Sequence, residues 1–395
     1  MTGRYTIGII GGGQLARMMH QASIGLGITI RLLAEGPDVS AAQVVHDVTV
    51  GDYAHLDTVL AFAKDCDVIT FDHEHVPTAI LEAVEAAGVA VRPGPKALVH
   101  AQDKAVMRAR LTAMDAPCPA HEVVADADAL RAFGERTGWP VIAKTSRGGY
   151  DGKGVWKIDS PDQADIPFEE LARPTSTVDG GTISREGVQI IAEEFIDFRR
   201  ELSALVVRSP SGQAVAYPIS ESTQRGGICV ETITPAPGLT DDQALEAQHL
   251  ALRIAQELEV VGLLAVELMQ RRDGHVVVNE LAMRPHNTGH WTIDGAHTSQ
   301  FENHLRAVLD LPLGEPGLRA PHVVMTNVLG GSEDDLTGAL QHCFARDREL
   351  RVHLYGKSVK PGRKVGHVTC LGRDLDQTLR RARHAAGYLM GDPDA

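Results

Sequence analysis

Residues Val260–Trp291 read VVGLLAVELMQRRDGHVVVNELAMRPHNTGHW, and the register of this stretch governs how the rest of the chain is read. An apolar alternating run turns at Asp273-Gly274 and returns through a second apolar run, the pattern of a β-hairpin. A two-residue loop makes Arg272 face His275, and counting five residues back along each strand sets Glu267 opposite Glu280. Facing residues have Cβ atoms about 4.5–5.5 Å apart, so the two carboxylates repel unless a cation lies between them. Hard oxygen ligands suit Mg2+ or Mn2+, and a Mg2+ ion held by one or two carboxylates completes its shell with phosphate oxygens and water. The competing reading puts both glutamates on a solvated face or separates them by a bulge. Just beyond Glu280 come Arg284, His286, Asn287 and His290, a density of polar groups that predicts a pocket for an anionic substrate.

Towards the N-terminus, a strand over residues 5–10 meets Gly11-Gly12-Gly13 and then a helical pattern over 14–22. Gly11, Gly13 and Ala16 match the dinucleotide fingerprint, and Glu35 ends the next strand near the place of an acidic ribose partner. Such loops also bind other anions or serve packing alone. A further strand at 67–71 runs into Asp72-His73-Glu74-His75, read as a loop lining a cleft. A helix at 81–87 and a strand at 89–92 complete a βαβ alternation, which predicts a doubly wound parallel domain.

In the middle of the chain, the apolar run Trp139–Lys144 is followed by SRGGYDGKGVWKI. Two antiparallel strands joined by a glycine-rich flap are expected there, with backbone N–H groups free to approach phosphate and Lys144 and Lys153 supplying charge. Walker A spacing is absent. Residues 160–188 read as a loop or weakly ordered insertion, and Asp241–Leu258 as an amphipathic helix capped by Thr240. Near the end, two strands within 351–371 enclose a turn carrying Lys357, Lys360, Arg363 and Lys364, a cluster suited to a phosphate monoester.

The 395 residues suffice for two or three domains, with 43% hydrophobic and 23% charged residues. A net charge of −14 argues against a nucleic-acid or anionic-membrane binder. Five scattered cysteines without a CxxC pair fit reduced thiols in the cytoplasm, and no secretory leader or long apolar run is seen.

Taken together, GGGQLARM at 11–18, GGYDGKG at 148–154, NELAMRPHNTGHW at 279–291 and KPGRKVGH at 360–367 resemble the ATP-grasp superfamily. Within it they resemble the 5-(carboxyamino)imidazole ribonucleotide synthases. The resemblance implies an α/β and α+β chain with the ATP-grasp fold. Its parts would be an N-terminal Rossmann-like domain over 1–102, a central ATP-grasp domain over 103–298 and a small β-rich domain over 299–395. It further implies ATP with Mg2+ (or Mn2+), bicarbonate and aminoimidazole ribonucleotide as substrates, carboxyphosphate as intermediate, and a cytoplasmic homodimer that engages neither nucleic acid nor membrane.

By the same resemblance ATP is held by His100, Lys144, Gly149, Tyr150, Asp151, Gly152, Lys153, Gly154, Val155, Glu193, Glu194, Phe195, Ile196, Glu201, Gln224, Asn279 and Glu280. The imidazole nucleotide falls to Gly13, Gln14, Glu74, Tyr150, Asp151, Arg284, His286 and Asn287, with Lys357 and Arg363 on its phosphate. Lys144, Arg284, His286 and Asn287 are the catalytic candidates, and Glu267 and Glu280 the metal ligands. The rivals are another ATP-grasp ligase, such as a formate-using glycinamide ribonucleotide transformylase or a biotin carboxylase, an NAD-dependent oxidoreductase, and a non-catalytic nucleotide-binding regulator. The HNTGHW and KPGRKVGH stretches discriminate among the ligases; the oxidoreductase reading leaves every motif after Glu35 unexplained.

Overall fold

The computed structural model describes residues 5–148, 154–172, 187–332 and 335–392. Its first sheet is all parallel, with spatial order Asp47–Val50, Thr29–Ala34, Thr6–Ile10, Val68–Phe71, Ala90–Val91. Near-continuous apolar runs such as Val68–Phe71 are buried on both faces, as helices on either side of a parallel sheet require. The strand Asp47–Val50 and helix Leu56–Ala63 were not anticipated, although Leu56, Val59, Leu60 and Ala63 fall at helical spacing.

The strand order reverses between Thr6–Ile10 and Val68–Phe71, and the crevice at such a point is where ligands of open α/β sheets bind. Here the glycine loop is filled from within the chain. Gly12 N–H donates to Glu35 Oε2 at 3.2 Å, and Gly13 N–H donates to Asp72 Oδ2. A Cβ on Gly13 would lie 2.2 Å from that carboxylate oxygen. The donors that a dinucleotide phosphate would use are therefore occupied, which removes the basis of the NAD reading.

A four-stranded antiparallel sheet has the order His121–Val124, Ile190–Glu194, Val141–Thr145, Val155–Ile158. The expected flap thus springs from a true antiparallel pair, with Lys144 opposite Val155. Its base is pinned: Lys104 N–H donates to Ser146 O at 2.8 Å, and Arg147 Nε lies 2.7 Å from Asp103 Oδ2. Gly149–Lys153 lie outside the described residues, so the calls on Tyr150, Asp151 and their neighbours do too. Residues 160–172, expected as loop, form a short 3-10 turn at Pro161–Gln163 and a helix at Ile166–Ala172.

The third sheet is the largest. It runs Val276–Ala282, Gly262–Arg271, Phe198–Arg208, Ser220–Arg225, Ile228–Thr234, His322–Leu329, Lys364–Gly372, Arg351–Leu354. The C-terminal strands therefore continue the central sheet. Helix Asp241–Glu257 covers one face, started by a Thr240/Gln243 capping box and burying Ala247, Leu250, Ala251, Ile254 and Ala255 at helical spacing.

The central hairpin departs from the expected turn and keeps the expected pairing. Arg271 N–H donates to His275 O at 2.8 Å, so the loop has three residues, Arg272-Asp273-Gly274, with Gly274 at φ +94°. That loop alone would put Glu267 opposite Asn279 and turn Glu280 away. A bulge restores the count: Leu268 pairs with Val278, Glu267 pairs with Glu280, and Asn279 is the extra residue. Replacing Gly274 by Ala forces a side chain into positive φ and 2.8 Å from Gln243 Nε2. The expected cost is about 1–2 kcal/mol in urea unfolding; an unchanged midpoint would refute the three-residue loop.

Candidate active site in the cleft between two sheets

The bulge at Asn279 is held by one side chain. Arg108, fully buried on helix Lys104–Ala113, donates to Val278 O at 3.0 Å and to Asn279 O at 2.8 Å. Val278 N–H, released from the ladder, donates to Pro117 O at 2.8 Å. The third direction of the guanidinium carries Nε to Glu193 Oε1 at 2.7 Å, on the facing sheet. Glu193 Oε2 in turn lies 2.8 Å from Lys144 Nζ, which also donates to Asn279 Oδ1 at 3.3 Å. One charge chain therefore spans the cleft and sets the spacing of its two walls.

Burial alone would raise the Glu193 carboxyl, but Lys144 and Arg108 outweigh it and hold it at about 2. Glu193 was expected against the nucleotide; its carboxylate is instead committed to Arg108 and Lys144. The apolar wall beside it consists of Ile196, Met269 and Val277, with Phe195 exposed at the rim and Lys157 Nζ 5.5 Å above its ring. Glu194 turns to Arg271, 2.7 Å away.

Glu267 and Glu280 face each other on this cleft. Burial pushes the Glu267 carboxyl up to about 8, and the charges of Glu280 and Glu201 push the same way. Glu201 is raised by burial as well. Its strand pairs so that Ser203 faces Glu267 and Ser222 faces Glu201, which puts Gln224, two residues on, along the same sheet face. Among the described residues no three His, Cys, Asp or Glu side chains converge as a metal cage. Two facing carboxylates, Glu267 and Glu280, are the donor set of an Mg2+ ion that takes its remaining ligands from phosphate and water.

Lys104 Nζ, a residue the sequence reading did not single out, lies 3.2 Å from Glu280 Oε1. His100 sits one helix earlier, on Pro95–Gln102, with Nδ1 3.1 Å from Ala97 O, and lines a separate depression with Arg110 and Glu257. The chain breaks helix at Asp103, whose carboxylate caps the next helix by accepting from Ala105 and Val106 N–H, and that second helix carries both Lys104 and Arg108. The available signal was Lys104 and Arg108 at i, i+4, with Arg108 among the apolar positions Met107 and Leu111.

The exit of the hairpin builds the neighbouring pocket. Arg284 Nε lies 2.7 Å from Glu74 Oε2, joining it to the loop at the switch point of the first sheet. His286 is fixed at its backbone by Gln300, which accepts from His286 N–H at 2.9 Å and donates to its carbonyl at 2.7 Å. Its Nδ1 accepts from Thr288 N–H, so the proton of the neutral ring sits on Nε2, 3.3 Å from Glu267 Oε1. Burial, with Arg284 and Lys364 close by, takes this imidazole down to about 3. Asn287 Oδ1 and Nδ2 and Glu74 Oε1 are buried without a hydrogen-bond partner among the described residues, the condition of groups that await a ligand. Lys357 Nζ donates to Gln14 Oε1, bringing the C-terminal turn onto the glycine loop that also holds Gly13. Arg363 bonds Ser358 Oγ at 2.8 Å inside its own turn, whereas the Lys364 charge reaches Glu267 and His286.

Two sheets clasping a cleft, with an antiparallel pair joined by a glycine-rich sequence on one and paired carboxylates on the other, are the arrangement of an ATP-grasp ligase. The ATP-grasp domain model matches residues 109–301, the ribonucleotide synthetase preATP-grasp domain model 4–102, and the phosphoribosylaminoimidazole carboxylase C-terminal domain model 323–381. N5-carboxyaminoimidazole ribonucleotide synthase of Mycobacterium tuberculosis is 51% identical over 387 residues, covering 97% of this chain and 87% of the relative. That of Corynebacterium ammoniagenes is 46% identical, covering 98% and 92%. The crystal structure of the Thermus thermophilus synthetase superposes with TM-score 0.84 at 35% identity, covering 98% and 99%. The Aspergillus clavatus enzyme in complex with ADP and 5-aminoimidazole ribonucleotide gives 0.87 at 28% identity, covering 98% and 99%. The chain belongs to the N5-carboxyaminoimidazole ribonucleotide synthase family.

Substituting Arg108 by Met strands the Glu193 carboxylate with one partner fewer. Urea unfolding at neutral pH should show a loss of about 3–5 kcal/mol. In the native protein a carboxyl lowered from 4.5 to about 2 contributes roughly 3 kcal/mol above its unfolded value, lost as pH falls through the folded value. The acid limb of stability should therefore move to higher pH in the Arg108→Met protein; coincident limbs would show that Arg108 does not hold Glu193 ionised.

Proposed function

We propose that this cleft carboxylates 5-aminoimidazole ribonucleotide to N5-carboxyaminoimidazole ribonucleotide at the expense of ATP, with bicarbonate as the carbon source. The observation that carries the reading is the shared wall formed by Glu267, Glu280 and the residues after them. One side of it faces the Lys144 charge chain and the other the orphaned polar groups of Asn287 and Glu74. Bicarbonate attacks the γ-phosphate to give carboxyphosphate and ADP. Carboxyphosphate then breaks down to CO2 and inorganic phosphate within the closed site, and the exocyclic amine adds to the CO2 with loss of a proton.

Phosphoryl transfer asks the protein for alignment and charge neutralisation more than for covalent help. Lys144 and Lys104 supply positive charge on the two walls, Ile196, Met269 and Val277 an apolar seat for adenine, and Glu201 a carboxylate for the ribose. Glu267 and Glu280 would hold Mg2+, which when bound neutralises phosphate charge. Arg284, oriented by Glu74, and Asn287 face the imidazole nucleotide. Neutral His286, with its Nε2 proton toward Glu267, positions that carboxylate and leaves the ring uncharged beside the amine. Gln14 and Lys357 hold the 5′-phosphate end, and the flap at 149–155 covers the nucleotide and shields carboxyphosphate from water. The three-part division at 1–102, 103–298 and 299–395, a cytoplasmic location and a homodimer belong to the same reading. Among the described residues no helix is long and apolar enough to cross a membrane.

ADP release measured with Mg2+, bicarbonate and aminoimidazole ribonucleotide tests the assignment. Release should depend on that nucleotide, and equal release with formate and glycinamide ribonucleotide would sink it. Glu280→Gln should raise the Mg2+ needed for half-maximal release at least tenfold, about 1.4 kcal/mol in metal binding, and near-normal turnover at low Mg2+ would remove the metal role. Lys104→Gln should lower kcat/KM for ATP about tenfold, whereas His100→Ala should leave it within about twofold. The reverse order would restore His100 to the site.

A further inference from the structure

Away from the cleft, the C-terminal part of the chain encloses a cavity of about 1190 Å3. Seven arginines and four carboxylates line it, in a protein whose net charge is −14. The arginines arrive from separate segments: Arg319 from the loop after Leu318, Arg346 from the last turn of helix Leu336–Arg346, Arg348 from the turn that follows, Arg373 from the end of strand Lys364–Gly372, and Arg380 from helix Leu375–Leu389.

The four carboxylates are already committed. Asp347 and Glu349 hold Arg381, at 2.8 and 3.3 Å. Asp294 Oδ2 lies 2.7 Å from His353 Nε2, with Arg351 at 3.8 Å from its other oxygen. Asp374 caps helix Leu375–Leu389 by accepting from Gln377 N–H at 2.7 Å. The five guanidiniums of Arg319, Arg346, Arg348, Arg373 and Arg380 have no side-chain partner among the described residues, and all five residues are exposed to the cavity's solvent. Seven arginines against four carboxylates leave the lining a net charge of +3, and repulsion among the guanidiniums without an ion-pair partner costs folding free energy. An occupant carrying several negative charges removes that cost.

We infer that this cavity is a binding site for a ligand bearing two or more linked phosphates, recognised through the phosphates themselves. Guanidinium forks match phosphate oxygens in pairs, which distinguishes such a ligand from a single carboxylate. Among the described residues the wall holds no Phe, Tyr or Trp, and its one aromatic ring, His384, already contacts His342 and Tyr388, so recognition lies in the oligophosphate. None of its residues belongs to the nucleotide cleft, so it is a second site and not an annex of the first.

Isothermal titration of the full chain with inorganic tripolyphosphate in EDTA tests this, with the Lys144→Gln protein as the control for phosphate held in the nucleotide cleft. One saturable site per chain is expected. Arg373→Gln/Arg380→Gln should weaken it at least tenfold, Arg319→Gln should weaken it by a smaller factor, and ATP-dependent turnover of both variants should stay at the native level. Lys64→Gln/Lys96→Gln, which removes the same charge elsewhere on the surface, should leave the affinity unchanged. No saturable heat, equal weakening by the lysine pair, or a heat abolished by Lys144→Gln would overturn the proposal. So would a dimer interface that covers the cavity and excludes the titrant.

Discussion

A guanidinium placed where no water reaches it must satisfy all its donors within the protein. Arg108 does so by joining three things that the chain could otherwise hold apart: the bulge at Asn279, the strand bearing Glu193, and through Glu193 the Lys144 ammonium. Each partner constrains the others. The bulge takes Asn279 out of the pairing, Val278 lies on the outer edge of the sheet's end strand, and Arg108 and Pro117 meet the groups they present. The facing of Glu267 and Glu280, on which metal binding rests, is downstream of this single buried charge.

The same economy of position recurs at the second pocket. The glycine loop after the first strand, a place where nucleotide enzymes often bind pyrophosphate, has its N–H groups satisfied by Glu35 and Asp72. What remains useful there is Gln14, reached by Lys357 from the far end of the chain. The switch point of the parallel sheet, the exit of the hairpin and the C-terminal turn thus converge on one volume. Buried rings tie the C-terminal strands to this convergence: Tyr355 Oη lies 2.8 Å from His367 Nδ1, and His353 stacks on His367 at 4.6 Å.

Much of this was legible one residue at a time. Thr240 with Gln243 announces its helix, and the apolar runs before Gly11 and after Asp67 announce parallel strands, because capping and burial are local consequences of side-chain chemistry. The pairing of Glu267 with Glu280 was also reached from sequence, but through two departures that cancel: the loop is one residue longer than Asp273-Gly274 alone, and Asn279 is one residue extra on the return strand. His100 and Lys104 show what sequence leaves open: four positions apart, they stand on separate helices, because Asp103 ends one and caps the next.

By itself the sequence determined the kinds of groups this protein brings to its chemistry: two glutamates flanking a turn, a lysine before a glycine flap, an Arg-Pro-His-Asn run, and a basic C-terminal turn. Residue type and local periodicity carry that information because they depend on neighbours a few positions away. Only the tertiary structure decided which of those groups are free to act. Glu193 is spent on Arg108 and Lys144, the glycine-loop amides on Asp72 and Glu35, and Arg363 on Ser358, while Lys104 turns out to face Glu280. Whether a charged group is available for a ligand depends on partners that lie far away in the chain, and those partners are fixed only when the sheets close on each other.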